Sequence, residues 1–313
     1  MRLVRHLSDM PFQELARGSV VTIGAFDGLH HGHEQLLRRV IAESRDRGVP
    51  SVVMSFEPTP KEFFSAAAPP ARLMRFREKF DSLANHGIDI FYCPRFSEAM
   101  RSISADAFIR RILVHGLNAR HIVIGDDFRF ARKREGTLDG LVRAGNALDY
   151  SVERVPSVIV DGVRVSSTAI RDALAAGDLA RATALLGRPY RMSGRIVRGR
   201  QVGRSLGYAT ANVDLRRRQS AVTGIYAVRV HGLPEGPIEG VASVGTRPTF
   251  DLKKPLLEVH LFDFDREIYG EYIHVDFIEH LRDEEKFASI DDLVAQMKID
   301  EENARSALAA HAA

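Results

Sequence analysis

The sequence predicts an α/β protein of two domains, in which a parallel sheet with flanking helices precedes an antiparallel β-barrel or sandwich and a terminal helix. In the first half of the chain, short β-branched segments alternate with segments whose apolar residues recur at helical spacing, as in parallel sheets. In the second half, strand-like segments follow one another closely with turns between them, which is typical of antiparallel sheets. The length of 313 residues also suits about two domains of roughly 150 residues each.

The elements of the first half alternate between strand and helix. The predicted strands are 20–23, 51–56, 88–92 and 121–124, and the predicted helices are 34–44, 79–86 and 105–115. Ligands of parallel sheets bind beyond the carboxyl ends of the strands. Gly24 and Gly125 each follow a strand directly and therefore mark the predicted ligand-binding edge.

After residue 187 the spacing of the elements changes. The predicted strands of the second half are 190–197, 224–230, 239–244, 256–262 and 272–278, and a helix begins near Ser289. A short helix over 178–186 ends at Gly187, and Pro189 follows it, as is common after the end of a helix. We therefore predict one domain over 1–186 and a second domain over 187–313.

The composition is that of an ordinary folded protein, with 45% hydrophobic and 27% charged residues. The net charge of +3 gives little support for a nucleic-acid partner, although nine arginines between Gly187 and Arg218 face a single acid, Asp214. This local cluster indicates an anion site or a solvated surface.

A lone cysteine, Cys93, fits a reducing compartment, and no segment resembles a signal peptide or a membrane span. We expect a cytoplasmic protein without a membrane partner.

The stretch that runs from Gly24 to His33 follows the first predicted strand and contains three histidines, of which His30 and His33 form a candidate site. Its glycines, Gly24 and Gly28, allow backbone N–H groups to approach a phosphate, and the start of the next helix favours an anion. His30 and His33 lie three residues apart and can both hydrogen-bond the charge that develops during nucleotidyl transfer. A metal-binding pair or solvated histidines remain alternatives on these residues alone, but zinc would need further ligands that no cysteine supplies.

A second candidate motif is Ser166-Ser167-Thr168-Ala-Ile-Arg171. Hydroxyl side chains before an apolar helical segment are typical of a helix N-cap, and an arginine one turn later can bind phosphate oxygens with two parallel hydrogen bonds. The alternative is a plain helix cap with a surface arginine.

Together these stretches resemble the His-x-Gly-His nucleotidyltransferase superfamily, in the form that is seen in bacterial FAD synthetases. The resemblance implies a Rossmann-like nucleotidyltransferase domain in which His30, His33 and Arg171 are catalytic. The ATP-binding residues that it implies are Gly24, Phe26, Asp27, Gly28, His30, His33, Ser166, Ser167, Thr168 and Arg171.

Two further loops resemble the same family and imply an FMN site. They contribute Phe56, Pro58, Asp127 and Phe128. Each loop departs from the common pattern, because Thr59 stands where a histidine is usual and Ala131 stands where a glycine is usual. These departures put in doubt a phosphate contact in the first loop and suggest a different path for the second.

The second half contains another candidate phosphate site between Gly194 and Asn212. The glycines of this segment are Gly194, Gly199, Gly203 and Gly207. Thr210 and Asn212 lie two residues apart, so an extended chain presents their oxygens on the same face, where they can hold Mg²⁺. A glycine-rich barrel turn with solvated arginines remains the alternative.

This second segment resembles riboflavin kinase, whose usual pattern is matched from Gly203 and Arg204 to Asn212, except that Ala209 replaces a proline. The resemblance implies a β-barrel kinase domain that binds ATP through the four glycines, Arg204, Thr210 and Asn212. It assigns Mg²⁺ to Thr210 and Asn212. It implies that Glu258 is the catalytic base and that Glu258 and Arg282 contact the flavin.

Over nearly the whole chain, the resemblance is to bacterial bifunctional riboflavin kinase/FMN adenylyltransferases. It implies riboflavin, FMN and ATP as substrates, FAD as product, Mg²⁺ as cofactor and no nucleic-acid partner, and it leaves the oligomeric state open. Two alternatives remain. One is a nucleotidyltransferase with another acceptor, such as pantetheine phosphate or a nicotinamide nucleotide. The other is an RNA- or DNA-binding protein that uses the arginine cluster, although only two aromatic residues lie within that cluster.

Overall fold

The computed structural model describes residues 1–199, 208–248 and 253–311. The contacts of the chain divide it into two compact units. The first unit comprises Met1–Pro70 and Met74–Val165, and the second comprises Ala71–Leu73 and Ser166–Ala313. This division falls earlier in the chain than the domain boundary expected near residue 187, which stays a prediction.

The first unit contains a six-stranded sheet in which every pair of neighbouring strands is parallel. Its strands are β1 (Arg2–Val4), β2 (Ser19–Ile23), β3 (Ser51–Met54), β4 (Ile90–Tyr92), β5 (Ala119–Gly125) and β6 (Ser151–Val155), in the order β1-β4-β3-β2-β5-β6. All residues of β2 and β3 are buried, as expected for central strands that are covered on both faces. A small hairpin of β7 (Ile159–Val160) and β8 (Val163–Arg164) follows. The predicted parallel sheet is confirmed.

Helices and two hydrophobic clusters accompany this sheet. The helices are α1 (His31–Arg47), α2 (Pro60–Phe64), α3 (Phe76–Asn85), α4 (Glu98–Arg101), α5 (Ala105–Ala107), a π-helical continuation (Phe108–Val114) and α6 (Leu138–Leu148). Val21 and Ile23 of β2 belong to one cluster, and Val20 belongs to the other, because successive side chains of a strand point to opposite faces. Helix α1 ends at Gly48, whose φ of 61° is the left-handed conformation that glycine favours.

The second unit contains a closed six-stranded antiparallel barrel. Its elements are α7 (Ser167–Ala175), α8 (Leu179–Leu186), β9 (Tyr190–Val197), β10 (Thr210–Asp214), β11 (Gly224–His231), β12 (Ile238–Pro248), β13 (Lys253–Leu261), β14 (Tyr272–Arg282) and α9 (Ile290–Ala310). The strands pair in the order β10-β13-β12-β11-β14-β9, and β9 also pairs with β10, which closes the barrel. The choice between barrel and sandwich is therefore settled in favour of the barrel.

The terminal helix α9 begins where the sequence predicts. Ser289 is its N-cap, and its hydroxyl accepts a hydrogen bond from the backbone N–H of Asp292 at 3.1 Å. Ala304 and Leu308 of this helix form a buried cluster with Ala227 and Phe262 of the barrel. Among the residues that the structure describes, no helix is both long enough and apolar enough to cross a membrane.

Candidate functional site

The turn between β2 and α1 brings the two predicted histidines together. His30 is the N-cap of α1, and its Nδ1 accepts a hydrogen bond from the backbone N–H of His33 at 3.4 Å. The two imidazole rings stack with their centroids 3.7 Å apart. Because Nδ1 of His30 acts as an acceptor, the neutral ring carries its proton on Nε2, which can donate to an anion. The pair therefore presents imidazole groups at a helix N-terminus, where anions are stabilised.

The backbone of this turn has an unusual conformation. Gly28 has a φ of 91°, and Phe26 and Leu29 also have positive φ values, of 49° and 42°. Both of these large side chains are almost fully buried, which anchors the turn in the hydrophobic core. Asp27 is also buried, and its Oδ1 accepts a hydrogen bond from the backbone N–H of Met74 at 2.9 Å. One oxygen of Asp27 therefore supports the protein's own backbone, and its contact with ATP stays a prediction.

His33 is held in its neutral form. Burial is the main reason that its pKa lies well below the ordinary value, and the nearby His30 and Lys79 lower that pKa further. The Nδ1 atom of His33 is shielded from solvent and has no hydrogen-bond partner among the described residues. At neutral pH this ring is an uncharged donor or acceptor at the edge where strand β2 ends.

Lys79 is a residue of this site that the sequence analysis missed. It lies in α3, its residue exposure is 3%, and its Nζ donates to the carbonyl oxygen of Ala25 at 2.5 Å. The sequence signal was the spacing of Lys79 and Leu83, which are four residues apart and therefore share one face of a helix. In the structure both residues are buried, so this lysine lies on the inward face of the helix.

The predicted second motif forms the beginning of α7, as its hydroxyl residues suggest. Ser166 is the N-cap, and its Oγ accepts from the backbone N–H of Ala169 at 3.1 Å, while Ser167 and Thr168 lie in the first turn. The Arg171 guanidinium donates to the carbonyl oxygen of Ala71 at 2.6 Å and to that of Ser167 at 3.1 Å. This motif belongs to the second unit, and its contribution to the nucleotide site of the first unit stays a prediction.

The first predicted flavin loop leads into an aromatic cluster. The ring of Phe56 contacts Phe96 edge-on at 5.4 Å, and Phe63 and Phe64 of α2 also contact Phe96, at 5.2 and 5.9 Å. Phe64 remains 62% exposed. The sequence analysis missed Phe63, Phe64 and Phe96, because they come from segments that meet only in the folded chain.

Thr59, which stands between Pro58 and Pro60, has a structural role in this loop. Its Oγ1 accepts from the backbone N–H of Glu62 at 3.4 Å, and the Glu62 carboxylate accepts from the backbone N–H of Thr59 at 2.8 Å. This reciprocal capping box starts α2 and orients its phenylalanines.

The second predicted flavin loop follows β5. The Asp127 carboxylate accepts from Arg164 at 2.8 Å, and the rings of Phe128 and Phe130 stack at 5.5 Å. Ala131 has φ 63° and ψ −171°, a region of backbone conformation that is essentially restricted to glycine. Ala131 therefore adopts a glycine-like conformation at the position where the family usually has glycine.

The predicted kinase residues share one face of two paired strands. Thr210 and Asn212 are two apart in β10, and Asn212 lies directly opposite Glu258 of β13. Residues directly opposite each other in antiparallel strands project to the same side of the sheet, so the hydroxyl, the amide and the carboxylate are neighbours. A Cβ atom at Gly199 would overlap the Asn212 side chain, so this close approach requires glycine.

The structure describes some of the remaining predicted kinase residues but not all of them. A Cβ atom at Gly194 would lie 2.6 Å from the Asp214 carbonyl oxygen, which explains a glycine where β9 packs on β10. Gly203, Arg204 and Gly207 lie outside the described residues. The Arg282 guanidinium binds both carboxylate oxygens of the buried Asp300, at 2.8 and 2.7 Å, and so links β14 to α9. Its contact with flavin stays a prediction.

Several arginines of the basic cluster bind acceptors within their own unit. Arg191 forms a two-pronged ion pair with Asp276, Arg216 pairs with Asp214 at 3.0 Å, and Arg217 donates to the Arg72 carbonyl oxygen at 2.5 Å. At these positions the arginines bind acceptors of the second unit itself.

Comparisons with known proteins cover both units. A family model described as FAD synthetase matches residues 12–169, and one described as riboflavin kinase matches residues 186–308. The bifunctional riboflavin kinase/FMN adenylyltransferase of Escherichia coli K12 is 45% identical over 305 residues, which is 97% of each chain. Those of Pseudomonas fluorescens and Haemophilus influenzae are 44% and 41% identical over at least 98% of each chain.

A solved structure also matches the whole chain. It is titled as a macrolide-efflux protein from Streptococcus pneumoniae, and it has a TM-score of 0.81, 34% sequence identity and coverage of 97% of this chain and 98% of its own. The fold of both units is therefore shared with that protein, while the efflux role belongs to its title alone.

Proposed function

This chain belongs to the family of bifunctional riboflavin kinases/FMN adenylyltransferases, and we propose on this basis that it phosphorylates riboflavin to FMN and then adenylylates FMN to FAD. The observation that carries the proposal is the presence in one chain of two chemically distinct sites. The first unit holds a stacked histidine pair at a helix N-terminus, and the barrel holds a hydroxyl, an amide and a carboxylate on one face.

In the adenylyl step, an oxygen of the FMN phosphate attacks the α-phosphorus of ATP, and the bond from that phosphorus to the departing pyrophosphate breaks. No covalent enzyme intermediate is needed, so the protein must orient the reactants and stabilise the developing negative charge. His30 at the N-cap and His33 in the first turn of α1 supply hydrogen bonds for this charge. Arg171 and the hydroxyls that begin α7 complete the phosphate contacts in this proposal.

The aromatic cluster of Phe56, Phe63, Phe64 and Phe96 supports an FMN site in the first unit. Planar aromatic ligands stack on such rings, and the exposed Phe64 offers a surface for this contact. Pro58, Asp127 and Phe128 border the same site in the proposal.

In the kinase step, the riboflavin 5′-hydroxyl attacks the γ-phosphorus of ATP, ADP leaves, and Glu258 accepts the hydroxyl proton. Thr210 and Asn212 would hold Mg²⁺, and their donor atoms fit this ion because a hydroxyl and an amide oxygen share a face with a carboxylate. When bound, Mg²⁺ neutralises charge on the ATP phosphates. Gly199 leaves room for the Asn212 side chain, whose orientation this site requires.

We also propose that the enzyme acts in the cytoplasm on small molecules alone. A single buried cysteine suits a reducing compartment, and intramolecular ion pairs occupy described arginines of the basic cluster. Cell fractionation and a nucleic-acid binding titration at two salt concentrations test these points. Tight, steeply salt-dependent binding to RNA or DNA that riboflavin does not affect would contradict them.

The direct test of the proposed function is an assay of the purified chain with riboflavin, ATP and Mg²⁺, followed by chromatographic separation of the flavins. We expect FMN to appear first and FAD to follow. The absence of both products would refute the proposal. Accumulation of FMN without FAD would restrict the failure to the first unit, and would direct attention to Thr59 and Ala131.

A further inference from the structure

Lys79 is a buried cation next to the turn that carries the histidine pair. Its exposure of 3% is unusual, because lysine is almost never fully buried unless its ammonium group has polar partners. Burying an ammonium group costs free energy, and hydrogen bonds from that group reduce the cost. The burial of this charge therefore indicates a local function, and the contact of Nζ with the Ala25 carbonyl oxygen identifies the backbone on which it acts.

The contact of Lys79 fixes one peptide group of the turn. The Ala25 carbonyl oxygen accepts two hydrogen bonds, from Lys79 Nζ at 2.5 Å and from the Ser55 hydroxyl at 3.2 Å. In a trans peptide the C=O and N–H bonds point in opposite directions. Two donors on this carbonyl therefore also fix the direction in which the N–H of Phe26 points, within the turn that precedes the histidine pair.

The charge of Lys79 also acts on the histidine pair. His33 lies on α1 and is influenced by two cationic or ionisable neighbours, His30 and Lys79, in addition to its burial. The acidic residue of the turn is Asp27, whose Oδ1 binds the Met74 backbone. A positive charge near an imidazole disfavours the imidazolium form, so Lys79 helps to keep His33 neutral.

We propose that Lys79 is a positioning residue for adenylyl transfer, which fixes the Ala25–Phe26 peptide of the nucleotide turn and places a positive charge near His33. This inference rests on the proposed FMN adenylyltransferase activity of the first unit. It assigns Lys79 no contact with the reacting atoms. The lysine instead acts through the turn and through His33, before and during the binding of ATP.

The test combines a spectroscopic measurement on the protein alone with an activity measurement. NMR titration of ¹³C-labelled histidines reports the pKa of His33, whose signal is assigned from its loss in His33→Gln. The variants are Lys79→Met, which keeps the length of the side chain, and Arg77→Met as a matched control. Arg77 lies on the same helix, and its side chain is 72% exposed.

We expect His33 of the unmodified protein to titrate clearly below about 6.5, and its pKa to rise in Lys79→Met but not in Arg77→Met. FAD formation from FMN should fall about tenfold or more in Lys79→Met, with the acidic limb of its pH profile moved to higher pH. FMN formation from riboflavin, which uses the other unit, should stay within about twofold.

Three results would overturn the proposal: an ordinary pKa for His33 in the unmodified protein, equal pKa values in the two variants, or unchanged FAD formation in folded Lys79→Met. The first of these needs no Lys79 variant, so a misfolded Lys79→Met protein still leaves the proposal exposed to refutation. If the unmodified chain made no FAD, the proposed function would fail, whereas the NMR result would still report on the coupling between Lys79 and His33.

Discussion

Ala209 shows how a single residue can be supported by a contact from the neighbouring strand. It immediately precedes Thr210, at a position where riboflavin kinases usually have proline. The Ala209 carbonyl oxygen accepts a hydrogen bond from His260 Nδ1 at 2.9 Å, and His260 lies directly opposite Thr210 on β13. The ring of Tyr208 contacts His260 edge-on at 5.1 Å. His260 thus restrains a backbone segment that lacks the rigidity of proline.

We expect His260→Ala to lower FMN formation about tenfold, because small displacements of a positioned group reduce rates strongly. Adding Ala209→Pro to this variant should restore most of the activity, since proline restricts the same backbone. The measurement is the rate of FMN formation in both single variants, the double variant and the unmodified chain. A double variant no more active than His260→Ala would show that His260 acts in some other way.

At the level of residues, motif chemistry was predictable and support from the surrounding fold was not. The spacing of His30 and His33 and the N-cap role of Ser166 could be expected from the sequence and are seen in the structure. Lys79 looks like an ordinary surface lysine until the orientation of α3 is known. Phe63 and Phe96 are separated by 33 positions, and only the folded chain brings their rings to 5.2 Å.

At the level of elements, the sequence analysis found most of the long segments, but it missed helix α6 and several short or polar strands. Strand β10 contains Asn212 and Asp214, residue types that are depleted in strands, so its β-structure depends on pairing with β9 and β13. Strand β6 contains Glu153 and Arg154 and lies at the edge of its sheet, where polar side chains are tolerated. Tertiary pairing decides such segments more than local preference does.

Helices α7 and α8 belong with the barrel rather than with the parallel sheet that precedes them in the chain. They pack against each other, and α8 also packs against β9 and β14. Helix α8 buries four apolar residues, Leu179, Ala182, Leu185 and Leu186. The predicted boundary near residue 187 would remove this apolar contact from an isolated barrel.

We therefore expect a fragment 166–313 to be more stable than a fragment 187–313, while both form FMN if the kinase domain begins at 187. Burial of one large aliphatic side chain contributes about 1.5–3 kcal/mol, so the loss of α8 should lower the unfolding midpoint clearly. Thermal unfolding and FMN assays of the two fragments provide the test. Equal midpoints would contradict this role for α8, and an inactive but folded 187–313 would contradict the predicted boundary.

At the level of the whole molecule, two reactions that share ATP and FMN are assigned to different units of one chain. In our proposal, the kinase step uses a carboxylate and neutral oxygen donors on barrel strands, whereas the adenylyl step uses imidazoles at the start of a helix. Each arrangement suits its reaction. The kinase reaction requires a group that removes a proton from a hydroxyl, and the adenylyl reaction requires groups that stabilise the charge of the departing pyrophosphate. The product of the barrel is the acceptor for the first unit.

The measurement that tests this account most directly is the flavin product pattern of two single-site variants, with riboflavin or FMN supplied together with ATP and Mg²⁺. We expect His30→Ala to convert riboflavin to FMN and stop there. Glu258→Ala should leave riboflavin unchanged but convert supplied FMN to FAD, and a mixture of the two variants should make FAD from riboflavin. If either variant, shown to be folded by circular dichroism, lost both steps, the assignment of the two reactions to separate sites would be wrong.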